Sequence, residues 1–178
     1  MSLTLTPWRP GAPADFQQLA LLLHDVVHER ASVGFIIPFS LENALTFWSN
    51  VATAVNANSR IVLLARLDGH IVGTVQLDID TPPNQPHRAE IKKLLVHPTA
   101  RRRGIARALM LAIEQLALSL GRTLLVLDTA TGDKAEPLYH SLGYTPLGII
   151  PAFALDSTAS RLEATTFFYK HLTPPAIA

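Results

Sequence analysis

The chain has 178 residues, 48% of them apolar and 16% charged, with a formal net charge of +1 and no cysteine. That balance suits one domain with a sizeable core and excludes a disordered chain. It also offers no broad basic face for nucleic acid, and the lack of cysteine excludes a disulfide framework, a thiolate metal site and a cysteine nucleophile. Met1 to Pro10 shows neither the basic stretch nor the apolar run of a signal peptide. No apolar run nears the roughly 20 residues that span a bilayer, so a cytoplasmic protein with no membrane contact is expected.

Leu3-Thr4-Leu5 alternates apolar and polar residues, as a short first strand does. From Ala14 to Arg30, the spacing of Phe16, Leu19, Leu23, Val26 and Val27 predicts an amphipathic helix whose first turn Asp15 favours. An apolar loop with Gly34 follows, Ala31 to Ile37. Ser40 reads as an N-cap with Asn43 three residues on, opening a helix to about Val55. Arg60 to Leu67 and His70 to Ile79 are strand-like, and Asp68-Gly69 between them is a hairpin signal. The prolines of Thr81 to Pro86 make a loop, and Glu90 to Val96 is the next strand, ended by Pro98.

Gly104 to Leu120 predicts a helix with Ile105, Leu109, Ile113, Leu116 and Leu120 on one stripe and Gly121 just past its end. Thr123 to Leu127 is a continuous apolar run, the pattern of a strand covered on both faces. Ala135 to Leu142 is a short helix closed by Gly143, and Tyr144 to Ile150 and Glu163 to Leu172 are the last strands. No repeat or linker divides the chain, so a single domain over 1–178 is expected. The element order implies a mixed α/β sheet containing an antiparallel hairpin. A dinucleotide or phosphate-loop fold is disfavoured, because neither Gly-x-Gly-x-x-Gly nor Gly-Lys-Ser/Thr occurs.

The most informative stretch is Leu94-Leu95-Val96-His97-Pro98-Thr99-Ala100-Arg101-Arg102-Arg103-Gly104-Ile105-Ala106-Arg107. It reads as a strand, a basic loop and a helix start. Amides at a helix N-terminus are unpaired and carry partial positive charge, so such a loop can hold a pyrophosphate. The bland alternative is a solvated basic cap.

Val96-x-Pro98-x-x-Arg101-x-x-Gly104-x-Ala106, taken with the element order, resembles the GCN5-related N-acetyltransferase (GNAT) family over almost the whole chain. Ala135-Glu136-Pro137-Leu138-Tyr139-His140-Ser141-Leu142-Gly143-Tyr144 is similar to that family's Ala-x-x-x-Tyr-x-x-x-Gly-Phe/Tyr segment. Three further stretches resemble the tabtoxin-resistance type, which acetylates the amine of a β-lactam toxin: Ala31 to Phe35, Arg88 to Leu94, and Leu127-Asp128-Thr129. One position departs from the family pattern. An asparagine often lies seven residues before the motif tyrosine, and here Gly132 stands there with Asp133 beside it.

The resemblance implies a mostly antiparallel twisted sheet flanked by helices, acetyl-CoA as cosubstrate, a small amine as acceptor, and no metal. A homodimer is common in the family. Backbone groups of Leu94, Leu95 and Val96 would pair with the pantetheine arm, and the loop Arg101, Arg102, Arg103, Gly104, Ile105, Ala106 and Arg107 would wrap the pyrophosphate. Tyr139 would be the general acid, since a phenol can protonate a departing thiolate; the alternative is a satisfied core tyrosine. Glu90 leads as general base, against the reading of an exposed strand-edge charge. Asp128, at the carboxyl end of the fifth strand, is a second acid that binds or deprotonates the amine, against the reading of a turn cap.

His24 and His28 have metal-ligand spacing but no third ligand, so a packed or solvated helix face is expected, and His97 and His140 are expected to face solvent. Phe35, Phe47 and Trp48 could wall the acceptor pocket or simply pack. The loops expected to shape that pocket are Ala31 to Phe39, Thr81 to His87 and Pro151 to Arg161. Other outcomes of the same fold are a protein N-terminal or lysine acetyltransferase, or a non-catalytic acyl-CoA sensor.

Overall fold

Local chemistry sets most element ends in the computed structural model, which describes residues 2–173. After β1 (Leu3–Pro7), Pro13 opens α1 (Pro13–His28), where its missing N–H costs nothing. The Ser40 hydroxyl accepts from the Asn43 amide at 3.1 Å and caps α2 (Leu41–Asn56), as its spacing predicts. Asp68 and Gly69, at φ 49° and 87°, form the tight turn between β2 (Arg60–Leu67) and β3 (His70–Asp78). Then follow β4 (Arg88–Val96), α3 (Ile105–Ser119), β5 (Leu124–Ala130), α4 (Glu136–Ser141), β6 (Thr145–Leu155) and β7 (Leu162–His171).

The strands form one seven-stranded sheet in the order β1-β2-β3-β4-β5-β7-β6. Every neighbouring pair is antiparallel except β4 with β5. On one face α1 and α2 bury Leu19, Leu23, Val27 and Trp48 against Val62 and Leu64. On the other, Ile105, Leu109 and Ile113 of α3 and Tyr139 of α4 pack on Val75, Leu77, Leu125, Leu127 and Phe168. Gly73 marks the closest approach: a Cβ there would lie 2.9 Å from the Leu95 carbonyl and 3.3 Å from both Ile105 and Leu109.

Two strand ends depart from expectation. β5 continues through Asp128 to Ala130, because β7 pairs with it along its whole length, from Leu124↔His171 to Ala130↔Thr165. Asp128 therefore lies within the strand. β6 runs on through Pro151 to Leu155 past an irregularity after Ile150, so only 156–161 remain of the expected Pro151 to Arg161 loop. The apolar run of β5 is also not covered on both faces: Leu125 and Leu127 are buried, whereas Leu124 and Val126 are partly open.

Candidate active site

The β4–β5 pairing lasts for three residue pairs, Arg88↔Leu124, Ala89↔Leu125 and Glu90↔Val126. Beyond them β4 runs to Val96 and β5 to Ala130 without pairing to each other, which leaves a wedge edged by unpaired backbone. A bulge explains the divergence. Thr74 pairs with Leu95 and Gln76 with Lys92, so Val75 alone faces both Lys93 and Leu94, and Lys93 takes φ 49°. An extra residue of this kind bends a strand and strengthens its twist.

At the far end of the wedge, β4 leads through a single helical turn (Pro98–Ala100) into the basic loop. Gly104 takes φ 78° before α3, a conformation that glycine adopts without strain. The first helical bond runs from the Ala108 amide to the Gly104 carbonyl at 3.0 Å. The amides of Ile105, Ala106 and Arg107 therefore have no acceptor within the helix. The four arginines differ: Arg101 Nε donates to the Val96 carbonyl at 3.2 Å, Arg107 donates to Ser141 Oγ at 2.6 Å, and Arg102 and Arg103 are exposed. The side chains of Leu95 and Ile105 lie in the core, so only their main-chain groups are available to a ligand.

Glu90, Val126 and Asp128 share the sheet face opposite α3. Glu90 is tied to Lys92 at 3.1 Å, and Lys92 also reaches Asp78 at 3.2 Å. Asp128 opens to the wedge; the loss of surrounding water, then the charge of Glu90, raises its carboxyl above the usual aspartate range against the pull of Lys93 and Lys92. Tyr139 borders the other side of the wedge, 6% exposed, with its ring 5.7 Å from Phe168 and 6.0 Å from Tyr144. Burial, then the charges of Asp133 and Asp128, push its phenol well above the ordinary tyrosine value, so the hydroxyl keeps its proton at neutral pH. Asp133 itself accepts from the Ala135 amide at 2.7 Å, a bond that fastens the start of α4.

The remaining singled-out residues separate cleanly. Trp48 is core, donating to the Leu19 carbonyl at 2.8 Å, while Phe35 packs on Phe39 and Phe47 and lies under the Lys93 ammonium at 5.5 Å. His97 is not simply solvated: its ring bridges Asp25 of α1 at 3.2 Å and Thr99 at 2.8 Å. His140 is exposed. His24 bonds Asp25 and stacks on His28, and no group of three or more ligating side chains is arranged for a metal among the described residues. Lys93 was absent from the expected site, although the break in alternation at Lys92-Lys93 is the sequence mark of the bulge. Gln76, fully buried below Lys92 with neither amide atom partnered among the described residues, carries no such mark.

The model of the acetyltransferase (GNAT) family matches residues 25–144. An uncharacterised N-acetyltransferase from the hisH-hisA intergenic region of Azospirillum brasilense is 31% identical over 125 residues, 69% of this chain and 73% of the relative. An N-acetyltransferase from Staphylococcus aureus Mu50 superposes with a TM-score of 0.80 at 15% identity, covering 97% of this chain and 100% of its own. The yncA protein of Salmonella typhimurium, described as an acetyltransferase and solved with its cofactor acetyl-CoA, gives 0.78 at 19% identity, covering 100% and 98%.

Proposed function

This chain belongs to the acetyltransferase (GNAT) family and is an N-acetyltransferase of that type; on that premise we propose that it acetylates the amine of a small molecule by direct attack in a ternary complex with acetyl-CoA. The observation that carries this reading is the alignment of an unpaired β4 edge with the free amides at the start of α3. The fit to acetyl-CoA is chemical. A pantetheine arm carries amides that complement the strand edge at Leu94, Leu95 and Val96, and a diphosphate complements the amides of Ile105, Ala106 and Arg107 with the charge of Arg101, Arg102 and Arg103. Gly104 supplies the turn between the two.

Bound there, acetyl-CoA supplies an acetyl thioester, and net transfer to an amine releases one proton from nitrogen while the departing sulfur takes one up. Asp128 and Glu90 are the groups placed to receive the first. Asp128 is the freer of the two: its proton affinity is raised, whereas the Glu90 carboxylate is already engaged by Lys92. Tyr139 holds the second proton, and its buried phenol keeps it until a strong base develops nearby. With no cysteine in the chain, an acetyl-cysteine intermediate has no residue to form on.

In the finer reading the acceptor is a toxin or antibiotic amine, such as a β-lactam amino acid. A homodimer would draw its apolar contact from β6, whose eleven residues carry no charge and leave Leu147 75% exposed; sedimentation equilibrium checks it. No helix among the described residues is long and apolar enough to cross a membrane.

Isothermal titration with acetyl-CoA, followed by a panel of β-lactam amino acids, aminoglycosides and simple amines, tests the proposal. Binding plus CoA release with small amines is the expected result. Absence of acetyl-CoA binding ends the reading, acetylation confined to protein termini or lysines moves the acceptor class, and binding without any transfer leaves a sensor.

A further inference from the structure

On the sheet face that carries Glu90, six charged side chains gather: Arg60, Lys92 and Lys93 against Asp78, Glu90 and Asp128. The register Arg60↔Asp78↔Glu90 sets three of them in one row. Arg60 bonds Asp78 at 2.6 Å, and Lys92 bonds Asp78 at 3.2 Å and Glu90 at 3.1 Å. Those contacts occupy four of the six. Lys93 and Asp128 have no ion pair and no hydrogen bond to another side chain among the described residues; the Asp128 carboxylate accepts from its own amide.

In a regular strand Lys93 would alternate to the opposite face, into the apolar layer beneath α3. The bulge holds it instead beside Lys92, at the cost of a left-handed backbone that lysine rarely adopts. Its ammonium lies 5.5 Å from the Phe35 ring centroid, and a Cβ on Gly34 would sit 3.4 Å from it. An aromatic face therefore holds this cation in place, and Asp128 and Glu90 act on it only from a distance, with no carboxylate in contact. Asp128 is left as an anion without a partner on the neighbouring strand.

We propose that Lys93 and Asp128 are the two poles of an acceptor subsite for a zwitterion, with the acceptor's amine beside Asp128 and an anionic oxyacid group, a carboxylate in the simplest case, on Lys93 Nζ. The inference rests on the acetyltransferase reading and names the acceptor class within it. Burial disfavours the Lys93 charge, with Lys92 and Arg60 adding repulsion that Asp128 and Glu90 offset only in part. An acceptor carboxylate supplies the missing counter-ion. A neutral acceptor leaves the cation desolvated and unpaired, and discrimination arises from that difference.

The test compares α-, β- and γ-amino acids with their carboxamides at saturating acetyl-CoA, with kcat/KM referred to the free-amine fraction. The wild-type protein should favour the acids by about tenfold or more, the scale of one charge-assisted hydrogen bond. Lys93→Met should bring the acid-to-amide ratio near one, and Lys93→Arg should restore much of it; heat of acetyl-CoA binding shows that each variant is folded. Equal wild-type rates for acids and amides overturn the inference before any variant is made, as does a preference that survives in Lys93→Met. Transfer without discrimination leaves the acetyltransferase reading intact, whereas transfer to no amine at all removes both.

Discussion

Tyr139 and Asp128 border one wedge, and burial raises the proton affinity of each, a shift that the proposed reaction uses in opposite ways. In the proposed reaction, the raised pKa keeps the proton on the tyrosine until the sulfur departs, and makes the aspartate a better acceptor that ionises later. Tyr139→Phe keeps the ring packed on Phe168 while removing the hydroxyl. It should lower kcat by about a hundredfold or more with little change in the melting temperature, as stopped-flow and calorimetry would show. The sign for Asp128 follows from its direction of shift. A carboxyl with a raised pKa stays protonated to higher pH, so base function is lost as pH falls through that raised value. The kcat/KM profile should therefore show an acidic limb above the ordinary aspartate value. Asp128→Asn should abolish the limb, and Glu90→Gln, by removing a neighbouring negative charge, should move it to lower pH.

At the scale of elements, the sequence was most legible where local chemistry acts alone. The Ser40 cap, the Asp68-Gly69 turn and the Gly104 helix start need no distant partner, and each lies where its residue type requires. The end of β5 and the continuation of β6 were not legible, because both depend on pairing with β7, a contact distant in sequence. Glu90, Asp128 and Tyr139 were legible as site candidates through motif and position, whereas Lys93 required the bulge, and Asp128's lack of an ion-pair partner among the described residues required the whole ion-pair layer. Gly73 gives a sharper case, since an unremarkable strand glycine is the point where two strands and α3 crowd together. Gly73→Ala must push its Cβ against the Leu95 carbonyl, a backbone atom that cannot swing aside. It should destabilise the protein by about 1–3 kcal/mol in urea titration and weaken acetyl-CoA binding, because Val96 is its pairing partner.

Across the whole molecule, three residue pairs join two well-knit leaves, one of β1 to β4 and one of β5, β7 and β6. Side chains from both leaves meet beneath α3 and α4, so the join is held chiefly by apolar contact on one side of the sheet. A ligand lying along the free edge of β4 and facing β5 touches both leaves, and it therefore acts as a splint. Hydrogen exchange should show acetyl-CoA slowing the amides of β5 and of the α3 start by about tenfold or more, with β1 and β2 nearly unchanged. Uniform slowing would mean that the two leaves already open as one unit. In the expected case, the concentration of cosubstrate in the cell sets the stiffness of the enzyme, and a chain deprived of acetyl-CoA opens first along the seam between β4 and β5.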